Sequence, residues 1–493
     1  MLENEFHKLE EKKEIRTTIS QIRKEIKKQD SKKAFLELLQ GKESMIVAFL
    51  SDEDAKTRKN TALLIGDLKL EQAKDALIAA YLNETTLYVK SAYLTALGKL
   101  DVRENLEFFK NRLLEVKNQQ VPAEEQKHQG EEIRELNEII LKTEGAKKHQ
   151  FTGFQMPHEM LLLTNREQRE VTLSEVKEIG ASVQRKAELH PLGVLVFSKE
   201  VTPFTKLRTY RELLFPIHTN ERIPAMPHRA AELLWHSDLY AFLTECHEGD
   251  APFFFRLEVK SAEPKTEFVK KLGASLEKKS DWNSTTDYEI EIRLIEAKDG
   301  SFVPFLKLYS MKMKRFAYRK NAIAMSIHPA TAAMLMYLAK PYLKENAQIL
   351  DPCCGVGTML IERDILVPAR EKYGIDIFGD AIDMARENAA LAGEKINFIH
   401  RDYFDFKHDY KFDEIVTNMP VKGKKAKEDM DAFYARFFEK SKSLLAEDGI
   451  IIMYSNEVGF VKKQLRLQPC YRLIQEYTIR KKDSYCLFII GMK

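Results

Sequence analysis

The C-terminal part of the sequence alternates strands with helices, and this order constrains the fold more than any other feature. The segments AQILD, YGIDI, INFIH, DEIVT and GIIIMYS predict strands, and MLIERDILVPAREK and GDAIDMARENAALAG predict helices between them. Strands connected through helices form a parallel sheet with helices on both faces. The final segment YTIRKKDSYCLFIIG predicts a hairpin that adds an antiparallel edge. We therefore predict an α/β domain over residues 311–493.

The first 115 residues predict only helices and contain an internal repeat. FLSDEDAKTRKNTALLIGDL begins at Phe49, and the similar YLNETTLYVKSAYLTALGKL begins at Tyr81, an offset of 32 residues. The two segments share apolar positions, a basic residue and a glycine: Arg58 and Lys90, Gly66 and Gly98. A repeat of this length is typical of stacked helix pairs. We expect a short HEAT-like array over residues 1–115, and a small helical bundle with accidental similarity is the alternative.

Two regions of different character lie between these domains. Residues 116–154 predict a linker that contains NQQVPAEEQKHQGEE and one helix, either exposed or docked, signalled by Ile133, Leu136, Ile139 and Ile140. In residues 155–310, the segments EMLLLTN, LGVLVFSKEV, FFFRLEVKS and YEIEIRLIEA predict strands. TLSEVKEIGASVQRKAE and TEFVKKLGASLEKK predict helices among them. We expect a central α+β domain, to which composition alone assigns no chemistry.

Charge and cysteine content exclude several classes of protein. The 78 basic and 75 acidic residues give a net charge of +3, so any contact with nucleic acid must come from local patches. None of the five cysteines forms a CxxC pair, which argues against a disulfide framework and a structural zinc site. The N-terminus is charged from its third residue, and no apolar run is long enough to span a membrane. We expect a soluble, cytoplasmic protein without a metal.

The loop DPCCGVGT (351–358) follows the first strand of the C-terminal domain, where parallel sheets bind nucleotides. Two glycines would let the backbone pass close to a ligand. Leu360 occupies the position of the third glycine of a dinucleotide-binding loop, which argues against a nicotinamide cofactor. The loop residues that we expect to contact a cofactor are Asp351, Cys353, Gly355, Gly357 and Thr358.

Acidic residues follow three successive strands. Asp351 would face a cationic amino-acid group, Asp376 would accept hydrogen bonds from ribose hydroxyls, and Asp402 would accept one from an adenine amine. Any one of these acids could simply end a strand near solvent. Together with the glycine loop, they favour S-adenosylmethionine, which carries a positive sulfonium and a positive ammonium, as the cofactor.

The strand DEIVT is followed by Asn418, Met419, Pro420 and Val421. This turn resembles the NPPY or DPPY signature of class I S-adenosylmethionine methyltransferases that act on the exocyclic amines of bases. The resemblance implies that the Asn418 side chain and the Met419 carbonyl accept hydrogen bonds from the target amine, while Pro420 stiffens the turn. Such acceptors would turn the delocalised lone pair of the amine toward the methyl group.

The turn departs from that signature at two positions. Met419 replaces the first proline, and Val421 replaces the aromatic residue that would stack on a flipped base. Phe433 or Tyr434 could supply the missing ring. Otherwise base affinity would be weak, or the domain would be inactive.

Residues 155–493 resemble more closely the THUMP-containing RNA methyltransferases that make N2-methylguanosine in tRNA or ribosomal RNA. The resemblance is carried by KRFAYRK (314–320), SIHPATAAML (326–335), DPCCGVGTMLIE (351–362), YGIDIFGDAIDMARENAALAG (373–393) and TNMP (417–420). It implies a Rossmann-like methyltransferase domain, a THUMP-like RNA-binding module over residues 155–310, and methylation of a guanine amine. The N-terminal helical region is outside this pattern and would bind a protein partner or RNA.

Basic residues cluster in two segments near the predicted site. Residues 307–320 contain six basic residues and no acid, interleaved with aromatic residues, a mixture that suits phosphate contact and base stacking. The catalytic turn continues into VKGKKAK, whose lysines would contact phosphates or simply form a solvated loop. We expect RNA contacts from Lys312, Lys314, Arg315, Tyr318, Arg319, Lys422, Lys424 and Lys425.

Three functions remain open at the level of the sequence. The first is methylation of a guanine amine in RNA, and the second is methylation of an adenine amine in DNA or RNA by the same turn. The third is a scaffold whose degenerate catalytic domain only binds, which Met419 and Val421 favour. We expect His328 to cap or pack a helix, and Glu362 to be a helix-face residue rather than a catalyst.

Overall fold

The computed structural model describes residues 2–122, 124–144, 148–180, 186–249, 253–277, 282–283, 288–421 and 429–493. The chain divides into two compact units. The first comprises residues 1–148, 249–253 and 270–287, and the second comprises residues 149–248, 254–269 and 288–493. Across the described ranges, no helix is both long enough and apolar enough to cross a membrane.

The N-terminal part of the first unit is entirely helical. Its helices are α1 (Leu2–Glu10), α2 (Ile15–Glu25), α3 (Gln29–Leu39), α4 (Glu43–Ala48), α5 (Ala55–Leu68), α6 (Lys74–Asn83), α7 (Leu87–Leu97), α8 (Leu106–Asn118) and α9 (Gln126–Glu144). Helices α2, α5, α7 and α9 pack side by side in that order. The α9 helix is docked, because Leu136, Ile139 and Ile140 are buried in the common apolar core.

The two copies of the sequence repeat form equivalent steps of this stack, each a turn followed by α5 or α7. A Cβ on Gly66 would lie 2.7 Å from the Cα of Ala96 in α7, and one on Gly98 would lie 3.3 Å from Cγ1 of Ile139 in α9. Each glycine therefore lets the next helix of the stack approach closely. Arg58 also donates to both carboxylate oxygens of Glu84, each at 2.8 Å, and so ties the two repeat turns together.

The middle domain combines β-strands with helices. Its elements are β1 (Gln150–Phe151), β2 (His158–Leu163), α10 (Arg169–Glu178), β3 (Lys186–His190), β4 (Gly193–Ser198), β5 (Glu212–Pro216), α11 (Pro227–Trp235), α12 (Leu239–Cys246), β6 (His247–Glu248), β7 (Phe254–Lys260), α13 (Thr266–Glu277), β8 (Trp282–Asn283), β9 (Ile290–Glu296) and β10 (Phe302–Leu308). The main sheet contains the order β3-β4-β2-β5-β10-β9-β7, with β7 and β9 parallel and the other pairs antiparallel.

One predicted helix of this domain was too long. The sequence pattern predicted a helix from Thr172 to Glu188, whereas α10 ends at Glu178 and β3 begins at Lys186. The chain from Lys186 to His190 pairs instead with β4, which satisfies its backbone hydrogen-bonding groups in a hairpin. The α+β character of the domain is as predicted.

The C-terminal domain is a doubly wound α/β structure. Its elements are α14 (Pro329–Ala339), β11 (Gln348–Asp351), α15 (Thr358–Leu366), β12 (Glu371–Asp376), α16 (Gly379–Ala392), β13 (Asn397–His400), β14 (Phe412–Asn418), α17 (Met430–Leu444), β15 (Leu445–Ser455), α18 (Val458–Leu467), β16 (Tyr471–Arg480) and β17 (Tyr485–Met492). The sheet order is β13-β12-β11-β14-β15-β17-β16, and β17 is antiparallel to both of its neighbours. The predicted parallel sheet with an antiparallel hairpin at one edge is confirmed.

One helix of this domain was also predicted too long. The pattern predicted a helix as far as Lys372, but α15 ends at Leu366 and β12 begins at Glu371. Pro368 lies between them and cannot donate a helical hydrogen bond. The helices α17 and α18 were not predicted.

The middle and C-terminal domains share a packed junction within the second unit. Asn165 donates to the carbonyl of Ile479 at 3.0 Å, and Gln168 donates to the carbonyl of Thr478 at 2.9 Å. On α10, Val171 is buried in one apolar cluster with Leu335 of α14. The middle domain is therefore held against the helix that precedes the first strand of the C-terminal sheet.

Candidate active site

A cavity of about 260 Å³ lies at the carboxyl ends of the central strands of the C-terminal sheet. The chain runs from β11 to β12 on one side and returns to β14 on the other, so β11 and β14 flank the point where the strand order reverses. Ligands of open α/β sheets bind at this switch point. The predicted site residues that line the cavity are Asp351, Cys353, Gly355, Thr358, Asp376, Asn418, Met419 and Pro420.

The two loop glycines are required for different reasons. Both have positive φ angles, +51° at Gly355 and +81° at Gly357, which favour glycine. A Cβ on Gly355 would meet only Cδ1 of Ile323, at 4.0 Å, so its side toward the cavity is open. A Cβ on Gly357 would lie 2.9 Å from Cζ of Phe398. The crowding that the sequence analysis attributed to a ligand is therefore caused, at Gly357, by a ring of β13.

Asp376 shapes the loop as well as lining the cavity. Its Oδ2 accepts a hydrogen bond from the Gly355 backbone N–H at 2.8 Å, and its Oδ1 accepts one from the Phe378 N–H at 3.0 Å. The carboxylate at the end of β12 thus fixes the glycine loop that follows β11. This link joins two of the predicted cofactor-binding positions directly.

Asp351 is a buried acid with an incomplete set of partners. Its Oδ1 accepts from the Cys353 N–H at 3.1 Å, and its side chain is 1% exposed. Its Oδ2 makes no hydrogen bond of normal geometry within the described part of the chain, although the Thr417 hydroxyl is close enough to act on its pKa. Burial raises the pKa of Asp351 to about 8, and the charge of Asp376 acts in the same direction. A cationic ligand group would supply the missing partner.

Thr358 offers a second unsatisfied polar atom in the same wall. Its Oγ1 is buried and has no hydrogen-bond partner among the residues that the structure describes. Thr358 is the first residue of α15, where the helix dipole and free N–H groups favour an anion such as a carboxylate. A cationic amine at Asp351 and a carboxylate near Thr358 together match the amino-acid end of S-adenosylmethionine.

Two other predicted cofactor positions have structural roles of their own. Asp402 caps the short 3-10 helix Tyr403–Asp405, accepting from the Phe404 N–H at 2.9 Å, and it is not among the residues that line the cavity. Burial holds the pKa of the Cys353 and Cys354 thiols well above the ordinary value. Both thiols are therefore held in the protonated form, which argues against nucleophilic chemistry.

The turn after β14 is anchored to the next strand and opens onto the cavity. Met419 donates its backbone N–H to the Tyr454 carbonyl at 2.9 Å, and its side chain is 2% exposed in the apolar core. Val421 also lines the cavity, next to Pro420. The methionine that replaces a proline thus holds the turn by burial.

The aromatic substitutes considered for Val421 are occupied elsewhere. Tyr434 is fully buried and bonds to the Ser455 hydroxyl at 2.6 Å, and Phe433 packs edge-on against Phe404 with 5.7 Å between ring centroids. Phe378, which the sequence analysis missed, lines the cavity and is 68% exposed. Its position two residues after the strand-end acid Asp376 is the signal that could have identified it.

The predicted RNA-contacting cluster divides into surface and interior residues. Lys312 and Lys314 are exposed. Arg315 points inward, donating to the carbonyls of Leu207, Tyr210 and Arg211 at 2.9, 2.6 and 2.7 Å. Arg319 donates to the Ile327 carbonyl at 3.2 Å, and Tyr318 is 5% exposed. Arg315, Tyr318 and Arg319 therefore make structural contacts within the protein, while Lys422, Lys424 and Lys425 lie outside the described residues.

Glu362 connects the two domains behind the glycine loop. It lies on α15 and accepts from Nε and Nη2 of Arg208, each at 2.8 Å, and from the Tyr318 hydroxyl at 2.5 Å. Arg208 belongs to the middle domain, 154 residues away in sequence, so no local pattern indicated the pair. Glu362 thus has a structural role, in line with the expectation that it is a helix residue rather than a catalyst.

His328 caps α14, as expected. Its Nδ1 accepts from the Ala330 N–H at 3.2 Å. Burial, together with the nearby positive charges of Arg211 and Arg319, lowers the pKa of His328 to about 4. The ring is therefore neutral at physiological pH and acts as an acceptor.

Comparisons with known proteins agree with this geometry. Residues 317–482 match the family model of the RMKL-like methyltransferase domain. A tRNA (guanine(10)-N2)-dimethyltransferase of Methanothermobacter thermautotrophicus is 33% identical over 162 residues, which are 32% of this chain and 46% of that protein. A ribosomal protein L11 methyltransferase of Thermotoga petrophila is 25% identical over 189 residues, which are 36% of this chain and 64% of that protein. The chain thus spans less than two thirds of either relative.

A solved structure extends the likeness in fold. The alignment with the crystal structure of SMU.472, a putative methyltransferase complexed with SAH, covers 68% of this chain and 98% of that chain, with a TM-score of 0.52 and 14% identity. The C-terminal domain therefore has the fold of class I methyltransferases, and its cofactor is S-adenosylmethionine. The buried oxygens of Asp351 and Thr358 fit this group.

Proposed function

We propose that the protein is an S-adenosylmethionine-dependent RNA methyltransferase that modifies the exocyclic amine of a guanine in tRNA or ribosomal RNA. The observation that carries the proposal is one cavity that brings Asp351 and Asp376 together with the turn from Asn418 to Val421. The choice of guanine and of tRNA is supported by the 33% identical relative named as a tRNA (guanine(10)-N2)-dimethyltransferase.

The cofactor half of the cavity would hold S-adenosylmethionine through three strand ends. Asp351 would face the ammonium group, Thr358 the carboxylate, and Asp376 the ribose hydroxyls. Asp402 would meet the adenine end, beside the loop formed by Cys353, Gly355 and Gly357. When bound, the cofactor supplies an electrophilic methyl group on a positively charged sulfonium.

The target half would orient the amine. The Asn418 side-chain oxygen and the Met419 carbonyl would accept its two N–H groups, while Pro420 limits the freedom of the turn. Holding both N–H groups directs the nitrogen lone pair at the methyl carbon, and positioning supplies most of the rate. The surplus proton of the methylated amine would pass to solvent, so no side chain needs to act as a base.

Two other domains complete the proposal. We assign residues 155–310 to a THUMP-type RNA-binding module and residues 1–115 to a HEAT-like array that serves as an adaptor for RNA or for a protein partner. Lys312 and Lys314, which are exposed, would contact RNA phosphates, and so would Lys422, Lys424 and Lys425. An adenine amine is the alternative target, because the same turn would hold it equally well.

One observation favours a second function, a scaffold that binds without catalysis. Val421 stands where an aromatic residue would stack on the target base, and both nearby candidates, Phe433 and Tyr434, are committed to packing. Cofactor binding without turnover on any RNA would be the expected behaviour of such a scaffold.

The test is a methylation assay with nucleoside analysis. Purified protein receives methyl-labelled S-adenosylmethionine and total RNA from a strain that lacks the gene, and digested nucleosides are separated by mass spectrometry. Wild type is compared with Asn418→Ala and with Asn397→Ala, which removes an exposed asparagine outside the cavity. We expect label in N2-methylguanosine with wild type and Asn397→Ala only. Label in N6-methyladenosine would select the adenine alternative, and full activity of Asn418→Ala would contradict the assigned turn.

A further inference from the structure

The segment from residue 16 to residue 33, on α2 and the start of α3, is strongly basic. It contains seven basic and two acidic residues, a net charge of +5, whereas the whole chain carries +3. The basic residues are Arg16, Arg23, Lys24, Lys27, Lys28, Lys32 and Lys33. The acidic ones are Glu25 and Asp30. Such a local excess is the electrostatic footprint of a polyanion-binding surface.

Four of these residues line one groove. Arg23, Lys27, Lys32 and Lys33 surround a depression of about 580 Å³, which we call the basic groove, together with apolar Ile26 and Leu36. The alternation of cations with a partly apolar floor suits a ligand that presents both phosphates and sugar or base surfaces. The groove belongs to the first unit and is separate from the cavity described above.

A single acid organises the cations of the groove. Asp67 on α5 accepts from Nε of Arg23 at 2.9 Å and from the Lys99 ammonium, and its backbone carbonyl accepts from Lys32. The Asp67 carboxylate thus pairs with Arg23 and with Lys99, which lies outside the groove lining, and the backbone carbonyl of Asp67 holds Lys32, so the positive charge of the groove exceeds its negative charge. Side chains held in this way lose less entropy when an anion binds.

The remaining lysines are not explained by pairing within the protein. Lys24, Lys27, Lys28 and Lys33 are exposed and form no ion pair within the described ranges. Arg23 and Lys24 lie in the last turn of α2, where the helix dipole favours cations. Lys28 and Lys32 lie instead at the N-cap and in the first turn of α3, where the dipole disfavours them. These two lysines therefore do not stabilise their helix through its dipole.

We propose that the basic groove binds the phosphate backbone of RNA, as a second contact remote in sequence from the methyltransferase domain. The proposal rests on the proposed function for the identity of the polyanion, and on the charge and geometry of the groove for its location. Recognition through phosphates would be largely independent of sequence and strongly dependent on salt.

The experiment measures binding of the full chain to total tRNA by fluorescence anisotropy between 50 and 300 mM KCl. The test variant is the triple change Lys27→Gln, Lys28→Gln and Lys33→Gln. The matched control carries the same change at three exposed lysines outside the first unit and outside residues 155–310, namely Lys395, Lys407 and Lys442.

We expect the triple variant to bind tRNA on the order of tenfold more weakly at low salt and to lower the salt slope by roughly 0.7–0.9 per lost phosphate contact. The control should match wild type, and equal melting temperatures would show that the variants fold. An unchanged affinity for tRNA and an unchanged salt slope in the triple variant would overturn the proposal. They would do so even if the triple variant no longer bound an acidic protein partner, because the groove would then serve that protein and not RNA. If the wild-type chain bound tRNA through the groove but methylated no RNA, the proposed function would be refuted and the groove proposal would stand.

Discussion

The cofactor side of the cavity fits its proposed ligand more completely than the target side does. On the cofactor side, strand-end acids fix the glycine loop, and two buried oxygens lack partners that an amino acid would supply. On the target side, Met419 anchors the turn, but Val421 stands where the NPPY signature carries an aromatic ring. We therefore expect cofactor binding and base recognition to be separable, and each of the following substitutions tests one half of the cavity against the other.

The largest effect is expected from Asn418→Ala. Removal of the side-chain acceptor should lower the rate of methyl transfer by a factor of about 10² to 10³, because the amine loses one of its two orienting hydrogen bonds. The affinity for S-adenosylmethionine, measured by calorimetry, should stay within about twofold, since the acids on the cofactor side are untouched.

The same measurement on Asp351→Asn provides the reverse case, with cofactor affinity reduced first. If Asn418→Ala weakened the cofactor as much as Asp351→Asn does, the division into two halves would be wrong.

The next effect concerns the loop that separates the halves. Gly357→Ala adds a strained backbone at φ +81° and a Cβ 2.9 Å from Phe398, which together cost about 3 kcal/mol. Gly355→Ala adds strain alone, at φ +51° with open space, and costs about 1 kcal/mol.

Thermal melting checks this pair of variants. We expect the melting temperature of the C-terminal domain to fall by roughly 6–12 °C for Gly357→Ala and by roughly 2–4 °C for Gly355→Ala. Gly357→Ala should therefore be less stable than Gly355→Ala, because its added Cβ meets the Phe398 ring, whereas the Cβ at position 355 has open space. Equal losses would mean that Phe398 moves aside and that only the backbone angle matters.

These contrasts also show what the sequence could and could not predict. The order of strands, the glycine loop and the acids at strand ends follow local rules, so they could be predicted from periodicity and turn residues alone. The inward position of the Arg315 side chain could not be predicted in this way. Six basic residues in a short window indicate an exposed surface, unless the carbonyls of Leu207, Tyr210 and Arg211 are known to surround the Arg315 guanidinium. Side-chain burial depends on contacts distant in sequence, as the Arg208–Glu362 pair also shows.

A smaller effect is expected from the titration of Asp351, which acts on the cofactor side only. With its pKa raised to about 8, the carboxyl is mostly protonated near neutral pH and must lose its proton to pair with an ammonium. Cofactor affinity should therefore rise with pH, by up to about tenfold per unit. The useful range is roughly pH 6 to 7.5, because the ammonium itself begins to titrate near 8.

Calorimetry in buffers of different ionisation enthalpy would detect the released proton. Asp351→Asn should bind the cofactor more weakly and without this pH dependence. A wild-type affinity that is flat over the same range would show that the carboxyl is already ionised before the cofactor binds.

The smallest effect is expected from restoring the ring on the target side. Val421→Tyr places an aromatic side chain beside Pro420 in the cavity wall, and stacking on one base contributes about 1–3 kcal/mol when the ring is well placed. Because nothing in the present wall positions that ring, we expect only about a fivefold lower KM for RNA and an unchanged affinity for S-adenosylmethionine. Val421→Leu controls for the added volume. A gain confined to tyrosine would identify base stacking as what the target half lacks, whereas equal results for both variants would point to Phe378, already exposed at the cavity, as the ring that the base uses.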